Sequence, residues 1–305
     1  MAKTTGIANI AIIGLGLVGT AIAGRLREGG FQVTGFDLRP EARDAFDQRG
    51  YAAASSLSAL AAQVDCAVLA VFDTQGVLQV VEGAGGLLDG HNTAHRRLRC
   101  IVDCSTGAPD LLEALAGRLA ARAIDFIEAP LSGSSVQIAN GDATMLLGAT
   151  PTALQRADAL LQAISPTRLQ VGGAGMGARA KLATNLVLGL NRAALAEGMV
   201  FARALGIEPA QFLQLVLRSP ARSGAAEAKG EMMVQLLEGS ETAVQSRITQ
   251  HLKDVDLMLG AAALTAQRLP LSQTHAALMR AAVKAGDGDL DNAAIVRQIS
   301  REKSG

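Results

Sequence analysis

The chain has no tryptophan, one tyrosine and seven phenylalanines, so the aromatic platforms on which single-stranded nucleic acids stack are missing. A charge of one sign is missing too. Lys+Arg and Asp+Glu are both 28, for a net charge of zero, and no global field draws nucleic acid or an anionic membrane surface. Cysteine is scarce: Cys66, Cys100 and Cys104. Four residues of extended chain would put the last two about 13 Å apart, beyond disulfide reach. An odd, sparse set of thiols fits a reducing compartment, and the expected location is cytoplasmic.

Apolar residues, by contrast, make up 49% of the chain and charged residues 18%, a balance that excludes intrinsic disorder. At 305 residues the prior is two domains, each able to bury its own core without a metal or disulfide staple. Glycine, at 33 residues, exceeds its usual share of about 7%, so its placement matters. Between Lys3 and Arg25 lie 21 uncharged residues, which taken alone imitate a signal peptide or a membrane span. Gly14, Gly16 and Gly19 punctuate that run and Asp37 follows it, so a ligand loop is the expectation, with no membrane partner.

Short apolar runs alternate with helical stretches from residue 7 to about 171. Strands are predicted over Ile7–Ile13, Phe31–Asp37, Cys66–Val71, Arg99–Asp103, Ile124–Ile127, Ala143–Leu147 and Thr167–Val171. Helices are predicted over Leu17–Glu28, Pro40–Arg49, Thr74–Val81, Pro109–Arg122 and Pro151–Ile164. Such alternation implies an α/β domain, a doubly wound parallel sheet of the Rossmann type covered on both faces. After Gly172 the alternation stops. The remainder reads as helices broken at Gly206–Pro209, Ser219–Gly224, Gly239–Ser240, Pro270 and Gly286–Asp289. The expected domains are 1–172, binding a dinucleotide, and 173–305, all helical.

Gly14-Leu15-Gly16-Leu17-Val18-Gly19 is a G-x-G-x-x-G run at the junction of a predicted strand and helix. The first glycine permits the tight turn, the second lets backbone approach a pyrophosphate, and the third lets helix and sheet pack closely. The helix start then offers unpaired N–H groups to phosphate. Asp37 follows 18 residues after Gly19, at the end of the second strand, where a carboxylate accepts the ribose hydroxyls of NAD and repels the extra phosphate of NADP. Arg39 complicates that reading, since a guanidinium suits a 2′-phosphate. NAD is the expected cofactor, with Arg39 turned outward or stacked on the adenine.

The chain holds six lysines. Lys181 lies just past the expected domain junction, four residues before Asn185, so the two share one helix face. On spacing alone an ordinary surface lysine explains it equally well.

At this point the sequence resembles the β-hydroxyacid dehydrogenase family, typified by 3-hydroxyisobutyrate dehydrogenase and tartronate semialdehyde reductase, along nearly its whole length. Five motifs carry the resemblance in order: Gly14–Gly19; Asp103-Cys104-Ser105-Thr106; Glu128-Ala129-Pro130-Leu131-Ser132-Gly133-Ser134; Gly177 through Lys181 to Asn185; and Lys253-Asp254-Val255. The resemblance implies that Lys181 is the catalytic lysine and Asn185 orients the substrate. It implies that Ser132, Gly133 and Ser134 form the substrate loop, and that Val71, Phe72, Ser105, Thr106 and Lys253 lie beside the cofactor. A lysine suits hydride transfer from an alcohol, because it can take the hydroxyl proton and stabilise the developing oxyanion. Ser132 and the N–H groups around Gly133 would hold a carboxylate.

The chain departs from the pattern at four places. Ser134 replaces a glycine, Thr184 an asparagine, Val71-Phe72 a Leu-Pro pair and Ser246 a phenylalanine. Two bare or apolar positions become hydroxyls, which points to a substrate more polar than hydroxyisobutyrate.

Other candidate groups read as structural. His91 and His95 lack a third metal ligand, and Arg96, Arg97 and Arg99 read as a solvated turn. His251 falls on another helix face than Lys253, while Asp254 and Asp256 read as ion-pair partners. No metal is expected. The reading is an NAD-dependent oxidoreductase interconverting a small 3-hydroxy carboxylate and its semialdehyde or keto acid, as a homodimer or homotetramer. Its rivals are an imine reductase using NADP and a cofactor-bound interaction module without catalysis. Lys181 argues against both.

Overall fold

The computed structural model describes residues 6–89 and 97–302. These form two compact units divided between Lys181 and Leu182. The first alternates strand and helix: Asn9–Ile13 (β1), Leu17–Glu28 (α1), Gln32–Phe36 (β2), Pro40–Gln48 (α2), Ala52–Ala53 (β3), Leu57–Ala61 (α3), Cys66–Leu69 (β4), Thr74–Glu82 (α4), Cys100–Asp103 (β5) and Pro109–Ala120 (α5). It continues with Asp125–Glu128 (β6), Leu131–Ser132 (β7), Ser135–Asn140 (α6), Thr144–Gly148 (β8), Pro151–Arg156 (α7), Asp158–Ile164 (α8) and Arg168–Gly172 (β9).

The strands form one sheet in the order β3-β2-β1-β4-β5-β6-β8-β7, with β9 on β8. From β3 to β6 every pairing is parallel. The purely parallel expectation fails at one edge, where β8 runs antiparallel to both β6 and β7. The connection there runs through the short strand β7 and the helix α6 (Ser135–Asn140), with no long helix to carry the chain across the sheet.

Side-chain alternation divides the core in two. Ile10 and Ile12 of β1, Val68 of β4 and Val102 of β5 join one cluster with Ile22 and Leu26 of α1. Ala11 and Ile13, Leu69 and Ile101 point the other way and join Val77 of α4 and Leu112 and Leu115 of α5. A strand buried on both faces must be apolar throughout, which is why β1, β4 and β5 read as unbroken apolar runs. Helix starts are marked by proline in the first turn of α2, α5 and α7 and by side-chain caps from Ser56, Asp73 and Thr150.

Four elements escaped the sequence reading: β3, α3, β7 and α6. The single helix expected over 151–164 is two helices that meet at Ala157. Long-range ion pairs flank the break, Arg156 to Asp125 at 2.7 Å and Arg168 to Asp158 at 2.8 Å.

The second unit is helical. Met176–Ala204 (α9) starts in the first unit, and its residues from Leu182 onward belong to the second. Pro209–Leu217 (α10), Gly224–Leu237 (α11), Ile248–Leu264 (α12), Pro270–Lys284 (α13), a short 3-10 turn at Asn292–Ala294 and Ile295–Arg301 (α14) follow. Every interruption expected from glycine, serine and proline falls between two of these helices or, as at Pro270, on the first residue of one. Their core gathers Leu195 and Met199 of α9, Met233 of α11, Met258 of α12 and Met279 of α13. One buried ion pair crosses it, Lys229 Nζ to Asp291 at 2.9 Å. Among the described residues, no helix is long and apolar enough to cross a membrane, and no group of three or more metal-ligating side chains occurs. His91, His95 and Arg96 lie outside the described residues. Cys66, Cys100 and Cys104 are buried free thiols.

Candidate active site

In a parallel sheet the loops that follow the strands converge at one edge, and ligands bind beside the point where strand order reverses. Here the reversal lies between β1 and β4, since β1 pairs with both β2 and β4. The loop after β1 is built on glycine for reasons visible in its packing. Gly14 has φ +95°, and a Cβ on it would fall 2.3 Å from the Ala70 carbonyl oxygen. A Cβ on Gly19 would fall 1.8 Å from the Gly14 oxygen. Gly16 differs, because a Cβ there would meet nothing within 4 Å. Its space lies open at the start of α1, which no side chain caps and whose first turn carries no acid. That combination is what a pyrophosphate needs: close backbone access and helix N–H groups free of a competing carboxylate.

Asp37 follows β2 and is buried. Its Oδ2 accepts the Leu15 N–H at 2.9 Å, so the carboxylate also ties down the glycine loop. Its Oδ1 accepts the Arg39 backbone N–H at 3.0 Å and Arg39 Nε at 3.1 Å. Burial works to raise the Asp37 pKa, but the hydrogen bonds from Arg39 and from Leu15 outweigh it and hold the carboxyl below its usual range. The sequence reading has Arg39 turned outward or stacked on the adenine; here its guanidinium pairs with Asp37. It folds back onto Asp37 while two-thirds of its side chain stays in solvent.

The loops after β4 and β5 are joined to each other. The Val71 N–H donates to Ser105 Oγ at 3.1 Å, and the Ser105 N–H donates to Asp103 Oδ1 at 2.9 Å. Phe72 is half exposed beside them, and Thr106 follows Ser105. The expected cofactor residues of the first unit therefore share one edge of the sheet, after β1, β2, β4 and β5.

The loop after β6 carries the substrate motif. Ser132 ends β7, half-buried. Gly133 passes so near β8 that a Cβ would stand 2.9 Å from the Ala143 methyl. Ser134 caps α6: its Oγ accepts the Gln137 N–H at 3.3 Å, and Gln137 Oε1 accepts the Ser134 N–H at 2.9 Å. Its hydroxyl oxygen takes part in that reciprocal cap, which leaves the O–H able to donate elsewhere. Lys181 is buried, and its Nζ donates to the Leu131 carbonyl at 2.6 Å.

In the second unit, Asn185 is buried and its Nδ2 donates to Asp254 Oδ2 at 3.1 Å. Lys253 pairs with the same carboxylate at 2.9 Å. Asp256 pairs with Arg280. Thr184 is exposed, and the Ser246 N–H donates to Asp291 Oδ2 at 3.1 Å. His251 is buried against Gly189, where an added Cβ would stand 2.5 Å from its Nε2. Several buried charged groups have no role in the sequence reading, Glu128 and Arg192 among them. Glu128 appears there only as the first letter of a motif, and Arg192 not at all. A carboxylate closing the apolar run Phe126-Ile127-Glu128-Ala129 is the signal that marks the first.

Residues 9–173 match the family described as the NAD binding domain of 6-phosphogluconate dehydrogenase, and the chain belongs to that family. Residues 175–299 match the NAD-binding domain of NADP-dependent 3-hydroxyisobutyrate dehydrogenase. The chain is an NAD(P)-dependent oxidoreductase of the hydroxyacid dehydrogenase class. It is 29% identical to an L-threonate dehydrogenase of Cupriavidus necator over 95% of both chains. It is 27% identical to a 2-hydroxy-3-oxopropionate reductase of Escherichia coli, over 95% of this chain and 96% of the other. A crystal structure of a 3-hydroxyisobutyrate dehydrogenase from Salmonella typhimurium aligns at a TM-score of 0.83 with 26% identity, covering 95% and 99% of the two chains. The resemblance drawn from five motifs is thereby met.

Proposed function

We propose that this oxidoreductase interconverts a small 3-hydroxy carboxylate and the corresponding semialdehyde or keto acid, with Lys181 moving the hydroxyl proton. The observation that carries the reading is the burial of Lys181 beside the β6–β7 loop, its Nζ on the Leu131 carbonyl. A charged amine sealed from water has a functional reason to be there more often than an exposed one. In oxidation the free amine takes the substrate's hydroxyl proton at Nζ, and in reduction the ammonium returns it. Ser132 and the N–H groups around Gly133 hold the carboxylate, and Asn185 orients the hydroxyl. A nicotinamide nucleotide, when bound, supplies the hydride acceptor or donor. Gly14–Gly19, Asp37, Val71, Phe72, Ser105, Thr106 and Lys253 are the residues that would hold it.

The substrate is more polar than hydroxyisobutyrate on this reading. Relatives named for L-threonate and 2-hydroxy-3-oxopropionate, both hydroxylated acids, agree with that direction. Following NADH absorbance over a panel of 3-hydroxy acids tests it; a chain active only on imines, or on nothing in the panel, overturns the assignment.

The cofactor proposed is NAD. Asp37, held ionised, would meet a 2′-phosphate with like charge, and Arg39 is already engaged by it. Catalytic efficiency with NAD should exceed that with NADP by tenfold or more, about 1.4 kcal/mol. Preference for NADP would mean that Arg39 leaves Asp37 and governs the site. Three free buried thiols suit a reducing, cytoplasmic setting. A homodimer or homotetramer is supported by Val187 and Phe201 on α9 and Leu205 just past its end, large apolar side chains that stand exposed. Sedimentation at micromolar concentration should find an oligomer, and a monomer would overturn this part.

A further inference from the structure

Glu128 closes β6 and is 1% exposed. Its register partner at the end of β5 is Asp103, also 1% exposed. Two neighbouring carboxyls away from water disfavour ionisation. Burial is the main cause and Asp103 adds to it, while the N–H groups of Ala178 and Gly175 and the charge of Arg179 oppose it. The Glu128 pKa stands at about 7.

The donors that keep this carboxyl in place belong to the start of α9. Oε2 accepts the Gly175 N–H, and Oε1 accepts the Ala178 N–H at 3.1 Å. The first N–H groups of a helix have no partner within it, and a side chain from elsewhere in the fold can supply one. Here the approach is so close that both neighbours must be glycine. A Cβ on Gly148 would stand 2.9 Å from Glu128 Oε2 and 2.5 Å from the Gly177 nitrogen; one on Gly177 would stand 2.8 Å from Glu128 Cβ.

Lys181 lies one turn beyond Ala178 on α9, and its Nζ meets the carbonyl of Leu131, three residues after Glu128. The segment 128–131 thus holds α9 at two levels. Glu128 takes its first-turn backbone, and Leu131 takes its lysine.

We propose that Glu128 is a positioning residue for Lys181: by accepting the Gly175 and Ala178 N–H groups it sets the first turn of α9 at the height from which Nζ reaches the Leu131 carbonyl. This rests on the reading of Lys181 as the proton-transfer group. Glu128 acts only through the helix. Protonation near neutrality leaves it one full acceptor and one hydroxyl, so its hold on the two N–H groups weakens below that point. The charged groups that act on it are Asp103 from β5 and Arg179 from α9, and the Gly148 backbone of β8 lies against it.

Six lysines make the test direct. With 13C at the lysine ε-carbons, the Lys181 signal is assigned by its loss in Lys181→Met. In the wild-type enzyme that signal should carry an inflection near pH 7. Glu128→Gln keeps the shape but turns one acceptor into a donor facing an N–H. It should shift the Lys181 signal, abolish the inflection and lower kcat by roughly ten- to a hundredfold, as small misplacements of a reacting group do, with cofactor affinity unchanged. The signal of Lys229, paired with Asp291 in the helical unit, should not move and reports that the variant is folded. A wild-type Lys181 signal without an inflection near 7 overturns the proposal whether or not the variant folds. An unmoved Lys181 signal in Glu128→Gln beside an inactive Lys181→Met overturns the role of Glu128 alone. An active Lys181→Met enzyme overturns the proton-transfer reading and, with it, any part for Glu128 in catalysis.

Discussion

A single amine decides the chemistry proposed for this chain. Lys181→Met keeps nearly the same volume and removes both the charge and the titrating group. General acid–base participation is typically worth 10²–10⁴-fold and oxyanion stabilisation adds to it, so kcat should fall at least a thousandfold. Cofactor affinity should barely change, because Gly16 and Asp37 sit on loops that Lys181 does not touch among the hydrogen bonds described. Lys181→Arg should be nearly as damaging, since a guanidinium keeps the charge but does not release its proton near neutral pH. Steady-state kinetics with fluorescence titration of the cofactor separates the two effects. Retained turnover in Lys181→Met would return the chain to the imine-reductase or interaction-module reading.

Elements were legible in proportion to their length and periodicity. Apolar runs at β1, β4 and β5, proline at the head of α2 and α5, and glycine or proline at each break in the second unit carry signals strong enough to place them. Two-residue strands such as β3 and β7 have no period to detect, and α3 is little more than one turn. The miss at α6 is different, because its signal was present. Ser134-Ser135-Val136-Gln137 spells a capping box, yet Ser134 was read as part of the substrate loop and as a departure within its motif. The hydroxyl oxygen caps α6. Ser134→Ala should therefore cost about 1 kcal/mol of stability, read as a lower midpoint in denaturant, while KM for the acid stays put. A rise in KM without loss of stability would instead support the substrate role of Ser134. Contacts formed between distant strands and helices were illegible for another reason. Nothing in the local pattern says that Glu128 will accept N–H groups from a helix 47 residues away, or that Gly189 clears space for His251 and His275.

At the scale of the whole molecule, acid stability turns on a buried imidazole. Burial, with the charge of Arg192 adding to it, lowers the His275 pKa to about 4. The unfolded chain binds that proton near pH 6.5 and the folded chain only near 4. The stability this contributes is complete above 6.5 and is lost as pH falls toward 4. Glu128, raised to about 7, works in the opposite direction over much of that range, so the measurement is a difference: denaturant midpoints of the wild-type chain should fall relative to those of His275→Gln as pH drops from 6.5 to 4, whatever the variant's absolute stability. An unchanged slope would mean that another group titrates there.

The sheet of the first unit keeps two cores that share no side chain, one lined by Ile10, Ile12 and Val68 and the other by Ala11, Ile13 and Leu69. Substitutions whose side chains do not meet add their effects nearly independently. The two faces are therefore separate ledgers of descent. A lineage can renew the packing under α1 and α8 without renegotiating the packing under α4 and α5, and the strand ends that both faces support keep their places while either one drifts.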